Sequence, residues 1–368
     1  MSSNLIRISI LGVGLIGGSL ARCWKGKDGI QVIGYSPNPS SIQKYLQLEV
    51  VDEAYDDLEK ATANADVVVV CAPVGKIPDY LIKLSQLSLA PGCIITDVGS
   101  TKSKIMEHAS AIAWNNACFI GGHPMAGSER SGVEAASAEL FENAIYVLTP
   151  PVDVEETSLQ RLRDLLEYTR AQIIVLDANT HDQVVGAISH LPHVMAVGLV
   201  NQVNDYEDDR CLYRTLAAGG FRDVTRIASS DPIIWRDILL QNRSVMLNML
   251  DDWGSQVDQW KTWIQTSDGD SIAAEFAKAN AYRKLVPERK RGLLHALHEC
   301  YVDLPDRPGA IGQLATLLGQ YEINLSNLHV NETRSDVPGV LRLTFRTADD
   351  LDRATIILTN IGYSIYRK

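Results

Sequence analysis

Apolar residues in the first half of the chain come in short runs, each closed by glycine, proline or a polar loop. Ile6–Leu11 is β-branched and largely apolar, the pattern of a strand buried on both faces. Similar runs occupy 30–35, 65–74, 93–102, 117–120, 145–148 and 171–176. Segments 20–25, 77–87 and 156–168 lie between them, with apolar positions at helical spacing. This alternation predicts βα units and a parallel sheet. From 179 to 291 the strand-like runs give way to long helical patterns, and 240–283 carries Trp253, Trp260 and Trp263. A charged segment bounded by proline and glycine, 287–292, precedes a third pattern. There, strands at 301–304, 323–329, 340–345 and 363–366 surround helices at 309–318 and 350–359, a βαββαβ order. The fold class expected is α/β. A Rossmann-type parallel-sheet domain over 1–178 precedes an all-helical domain over 179–291 and a ferredoxin-like domain over 298–368.

Composition narrows the function. The 368 residues are 46% apolar and 21% charged, as in ordinary globular domains with ample core. A net charge of -11 with no basic stripe argues against a nucleic-acid partner. The six cysteines are scattered without metal or redox spacing and read as core residues of a reducing compartment. Ile6–Leu11 is too short for a leader, and the run from Val67 stops at Pro73, so neither a signal nor a membrane span is expected. A cytoplasmic protein follows.

The first strand empties into Gly12-Val13-Gly14-Leu15-Ile16-Gly17 and then a helix. In this order Gly12 makes the tight turn, Gly14 admits a pyrophosphate and Gly17 lets helix and strand approach. The free N–H groups of the helix start, near Leu15 and Ile16, would face the phosphates. A dinucleotide site is predicted. At the end of the second strand, where an acid would take the ribose hydroxyls, stands Ser36, and the nearest cation is Lys44. NAD is the expected cofactor, and NADP is not excluded. Ligands in open α/β sheets lie beyond the carboxyl ends of the strands. Ala72, Pro73, Val74, Gly99, Ser100 and His123 all fall there if the strands are parallel, with Ser100 and His123 beside the nicotinamide.

His123 sits in Gly121-Gly122-His123-Pro124-Met125-Ala126-Gly127-Ser128-Glu129, read as a strand end opening into a loop whose glycines allow positive φ. His190 and His193, three apart across Pro192, share one face if helical, and no third ligand makes them a metal site. They serve either as core groups or as a polar pocket wall. Arg222 and Arg226, four apart, are candidates for gripping a carboxylate. Asp231 before Pro232 is a helix N-cap, and Trp235 reads as a core residue. Long apolar-faced helices beside a nucleotide-binding domain predict a homodimer. About seventy C-terminal residues are too few for a deep active site and suggest regulation or assembly. The turn holding Asp306, Pro308 and Gly309 would offer helix N–H groups to an α-carboxylate, with Asn324 and Asn327 facing an α-amino group.

Taken in order, Gly99-Ser100-Thr101-Lys102, the 121–129 stretch, Ser189-His190-Leu191-Pro192-His193 and Ala217 to Arg226 resemble the prephenate dehydrogenases. Leu304 to Gly309 resembles the start of an ACT domain, an amino-acid-sensing module. The resemblance implies oxidative decarboxylation of prephenate to 4-hydroxyphenylpyruvate. His123 would accept the ring hydroxyl proton, Ser100 would bond that hydroxyl and help fix His123, and Arg226 would hold a carboxylate. It also implies an ionic network of Glu129, Asp223 and Arg226 at the cleft mouth, a pocket lined by His190, His193 and Trp235, and Gly219 reaching over from a partner subunit. Tyrosine is the effector it suggests. Arogenate is an alternative substrate. A 3-hydroxyacid-type dehydrogenase, which would use a helical lysine, and a non-enzymatic NAD sensor are the rival readings.

Overall fold

The computed structural model describes residues 5–127, 130–286, 298–305, 307–330, 339–345 and 347–367, and it divides into two compact units, 1–287 and 288–368. Glu129, Asp306 and the 287–292 linker lie outside the described residues.

Eight strands build the sheet of the first unit: β1 (Ile6–Leu11), β2 (Ile30–Tyr35), β3 (Glu53–Tyr55), β4 (Val67–Val70), β5 (Cys93–Asp97), β6 (Ala117–Pro124), β7 (Ile145–Thr149) and β8 (Gln172–Val175). Their order is β3-β2-β1-β4-β5-β6-β7-β8. The order reverses between β1 and β4, which opens a crevice at the carboxyl edge there. In β4, Val67 and Val69 join the core on one face while Val68 and Val70 join that on the other. Four valines in a row are what a strand covered by helices on both sides requires.

The sheet is not wholly parallel, which corrects the expectation. Strands β1 to β6 run parallel, but β7 pairs antiparallel with β6, and β8 follows β7. Where described, the connection from β6 to β7 holds two 3-10 turns, Val133–Ala135 and Ala138–Phe141, rather than a crossover helix. Without a crossover a strand returns antiparallel.

The helices that follow belong to the same compact unit. Ala178–Val185, a π-helical turn Gly186–His190 and Leu191–Tyr206 form one continuous rod. By length and composition alone its 29 residues could cross a membrane, although no single apolar run in it is that long. Polar residues interrupt the apolar ones along it. Those it buries, His181, Asp182 and His190, are bonded within the unit. Pro192 is the second residue of Leu191–Tyr206, directly after the π segment. Asp231 caps Pro232–Gln241 by accepting from Ile233 and Ile234 N–H, as expected. Arg243–Gln265 and Gly269–Leu285 pack through Trp260, set edge-on to Trp263 and Phe276. Gly269–Leu285 has no buried residue.

The second unit is a four-stranded antiparallel sheet of β9 (His298–Leu304), β10 (Leu325–Val330), β11 (Gly339–Phe345) and β12 (Ile365–Arg367), in the order β10-β11-β9-β12. Helices Ala310–Gln320 and Ala348–Asn360 complete the βαββαβ layout. Alternate residues of β9, Cys300, Val302 and Leu304, meet Leu314, Leu318 and Leu358 in its core.

Candidate active site

The glycine turn after β1 has the geometry its sequence implies. Gly12 has φ +98°, and Gly17 lies so close to the turn that an added Cβ would stand 2.2 Å from the Gly12 carbonyl oxygen. Gly14 differs: a Cβ there would meet nothing within 4 Å, so the space before helix Leu15–Trp24 is open. No acidic side chain occupies the first turn and no side chain caps the helix, so the N–H groups around Leu15 and Ile16 are presented to that space. Residues Ala72, Pro73 and Val74 follow β4 beside it, since the Cys71 carbonyl would lie 2.7 Å from a Cβ at Gly12. The arrangement fits a dinucleotide pyrophosphate. Ser36 is buried and accepts the Asn38 N–H at 3.1 Å, while Lys44 pairs with Glu134. Neither offers a cation at the end of β2.

His123 stands on β6 itself, not in a loop, because the strand continues through Pro124 to pair with β7. Gly121 and Gly122 are not in positive-φ conformations, which corrects the reason given for them. They are glycine because a Cβ would stand 2.3 Å from Thr149 Oγ1 or 2.6 Å from the Asp97 carbonyl. A strand that threads between such neighbours has room only for bare backbone.

The His123 ring is partly buried, and its Nδ1 lies 2.8 Å from Nε2 of His181. Nδ1 of His181 in turn lies 2.8 Å from Asp182 Oδ1. The Asp182 carboxylate accepts the backbone N–H of Lys102 at 2.7 Å and of Ser103 at 2.8 Å, tying it to the start of helix Ser103–Ser110. Burial raises the Asp182 carboxyl pKa, but the bonds from His181, Ser103 and Lys102 outweigh it and hold the acid below its usual range. Behind this chain, Lys102 Nζ is paired with Asp97, both fully buried, and Asp97 also accepts from Gly99 N and Gly122 N. Burial, then the neighbouring His181, Lys102 and His190, pushes the His123 pKa well below the ordinary histidine value. At neutral pH the ring is therefore an uncharged imidazole, able to take a proton.

An aromatic group adjoins this chain. His193 stacks on Trp235 with centroids 3.6 Å apart, and His190 meets the same indole edge-on at 5.9 Å. His190 is 1% exposed and faces the Asn242 amide at 3.1 Å, with burial lowering its pKa to about 4. His193 Nδ1–H donates to the Ser189 carbonyl at 2.8 Å, so that nitrogen carries the ring proton. Burial and nearby Arg226 lower the His193 pKa, against the Ser189 bond. Trp235 also packs against the core around Val74 and Ile77. The helix that carries it thereby meets the loop after β4, where Asp237 approaches Gly75.

The expected site residues thus divide. His123, His190, His193 and Trp235 are joined through neighbouring contacts, with Arg226 close enough to bear on His193 electrostatically. Gly219 and Asp223 lie in the exposed helix Gly219–Thr225. Arg226 begins a 3-10 turn beyond that helix, so Arg222 and Arg226 do not share a regular helical face. Ser100 is partly buried, and among the described residues it makes no hydrogen bond to His123; His181 holds that ring instead. Gly309 has φ +84° at the N-cap of Ala310–Gln320, with Pro308 in the turn before it. Asn324 precedes β10, and the Asn327 side chain accepts Leu328 N–H, next to a register irregularity. Sequence reasoning missed His181, Asp182, Asp97, Lys102 and Asn242. The acid closing an otherwise apolar β5 was the visible signal for Asp97. Among the described residues, no His, Cys, Asp or Glu group is arranged to hold a metal.

Comparison with known proteins decides the family. The model described as "Prephenate dehydrogenase, nucleotide-binding domain" matches residues 20–175, and "Prephenate dehydrogenase, dimerization domain" matches 177–278. The chain belongs to the prephenate dehydrogenase family. An ACT domain model matches 298–357. The prephenate dehydrogenase of Bacillus subtilis is 38% identical over 348 residues, 94% of each chain. The crystal structure of prephenate dehydrogenase from Aquifex aeolicus, in complex with hydroxyphenyl propionate and NAD+, superposes with TM-score 0.71 at 30% identity, covering 78% of this chain and all of that one. Synechocystis arogenate dehydrogenase gives TM-score 0.68 at 34% identity, covering 77% of this chain and all of its own.

Proposed function

We propose that this chain is an NAD-dependent prephenate dehydrogenase. It converts prephenate to 4-hydroxyphenylpyruvate, with one CO2 released, in tyrosine biosynthesis. The observation that carries this reading is His123, anchored through Nδ1 at the carboxyl side of a sheet whose first turn is an open glycine cradle. NAD, when bound, supplies the acceptor for the hydride leaving the ring carbon that bears the hydroxyl. His123 Nε2 takes the hydroxyl proton as the carbonyl forms. Carboxylate loss then aromatises the ring. Ser100 bonds the same hydroxyl, and the Arg226 guanidinium holds a substrate carboxylate through its planar fork. His190, His193 and Trp235 form the pocket wall. Glu129 and Asp223 join Arg226 at its mouth.

Gly12, Gly14, Leu15, Ile16 and Gly17 would hold the pyrophosphate, with Ala72, Pro73, Val74 and Gly99 along the cofactor and Ser36 at its ribose. A homodimer through the helical region covers its exposed apolar faces and brings Gly219 to the partner's cleft. Three parts, 1–178, 179–291 and 298–368, then divide cofactor binding, assembly and regulation among them in a cytoplasmic enzyme. Tyrosine binds the ACT domain near Asp306, Pro308, Gly309, Asn324 and Asn327, where the helix start receives its carboxylate.

Adding prephenate and NAD to the purified full chain should raise absorbance at the NADH band with stoichiometric CO2. Faster turnover of arogenate would reassign the substrate, and no NADH from either would return the chain to a sensor role.

A further inference from the structure

We propose that His181 and Asp182 are a positioning pair that sets the tautomer of His123, so that its Nε2 always carries the lone pair. This rests on the reading of His123 as the proton acceptor. The geometry runs in one direction. Asp182, held ionised by the bonds described above, can only accept. Its Oδ1 lies 2.8 Å from His181 Nδ1, so that nitrogen bears the proton and Nε2 is left to accept. A bare Nε2 at 2.8 Å from His123 Nδ1 must accept, which puts the His123 proton on Nδ1. Among the described residues no group bonds Nε2 of His123.

The surroundings keep the chain pointing this way. His181 and Asp182 are each 1% exposed, which leaves water little access to offer other partners. Asp182 is fixed by Lys102 N and Ser103 N, and its own carbonyl accepts the Asn242 amide at 2.9 Å. The titratable groups facing the two rings are Lys102 with its partner Asp97, Asp182, and His190. Of these, Lys102 is neutralised by Asp97, and His190 is uncharged at neutral pH. Asp182 stands as the carboxylate at the far end of the relay. When a proton reaches Nε2, the new imidazolium is therefore opposed by a carboxylate acting through the second ring. A group serving the fold alone would not need this: an apolar pair of similar volume is often as stable as a buried charged one.

The test uses the full chain labelled with 15N at histidine. At pH 7.5 the His123 signal, assigned by its loss in His123→Asn, should show protonated Nδ1 and bare Nε2. His181→Leu should lower kcat by roughly 10²–10⁴, the scale of losing the orienting acid of a catalytic triad. Its NAD Kd and prephenate KM should stay within about threefold, since uniform binding is untouched. His181→Gln, whose amide oxygen can accept from His123 Nδ1, should recover at least about tenfold of that loss. In a His123→Asn background, His181→Leu should cost less than about threefold more, because the two act as one unit. Protonated Nε2 in the wild-type chain, or full activity in His181→Leu, overturns the assignment. If the leucine variant does not fold, the wild-type tautomer alone decides. Full activity in His123→Asn would instead defeat the base reading while leaving the tautomer result intact.

Discussion

The sheet and the helical rod of the first unit hold their functional groups by opposite means. At the sheet edge the site is backbone: Gly12, Gly14 and Gly17 shape a cradle that side chains would fill. Along the rod the site is side chain: His181 bonds Asp182, His190 faces Asn242, and His193 bonds the Ser189 carbonyl and stacks on Trp235. The sheet is covered on both faces, whereas no residue of Gly269–Leu285 is fully buried and Phe276 is 66% exposed. A backbone site needs a rigid sheet. A side-chain site tolerates helices whose outer faces stay exposed.

The largest effect is expected where the two meet. His123→Asn should lower kcat by roughly 10²–10⁴, as for a lost general base, and leave NAD affinity and thermal stability intact. Near-normal turnover would remove the strand from the chemistry. Lys102→Ala should act in reverse: it strands Asp97 in the core and costs about 3–5 kcal/mol in denaturant unfolding. Wild-type stability in that variant would show the pair to be dispensable. Arg226→Ala, in the exposed helical segment, should raise KM by a transition-state loss of about 2–5 kcal/mol with folding unchanged. An unaltered KM would pass the carboxylate grip to another cation.

Acid should distinguish the regions next. The folded pKa of His190 is about 4, against an ordinary 6.5. Between those values the unfolded chain binds a proton that the folded chain refuses, so stability rises with pH and is complete above 6.5. Its share is about 3 kcal/mol on the usual conversion. His190→Gln should flatten that part of the pH–stability curve, and an unchanged curve would assign the slope elsewhere. The smallest change in folding is expected at the outer face: Phe276→Glu should alter monomer unfolding within about 0.5 kcal/mol yet shift the assembly toward monomer in sedimentation. An assembly unmoved by that charge would place the interface on another helix.

The same contrast governs what was legible in the sequence. β1, β2 and the glycine turn stood out because period and spacing are local properties. So did the Asp231 cap and the βαββαβ order of the C-terminal unit. The antiparallel β7 was hidden, because direction depends on a connection whose turns carry no strand or helix period. His123 looked like a loop residue, because Gly121 and Gly122 suggest flexibility when their cause is crowding by Thr149 and Asp97. His181 and Asp182 follow an ordinary Asp177 helix cap, and nothing within one turn reveals that Lys102, eighty residues earlier, supplies their partner. Long-range hydrogen bonds leave no local trace.

The π turn at Gly186–His190 carries a further consequence for inheritance. Such a turn is an α-helix with one residue too many, and each residue advances a helix by about 100°. His181 and Asp182 lie before the extra residue; His193 lies after it. Losing one codon from this turn would leave the first pair in place and rotate the stacking face away from Trp235, whereas most point changes elsewhere in the rod would disturb a single contact. The two halves of the site are thus in separate phase, and they can be brought together or parted by a length change of one.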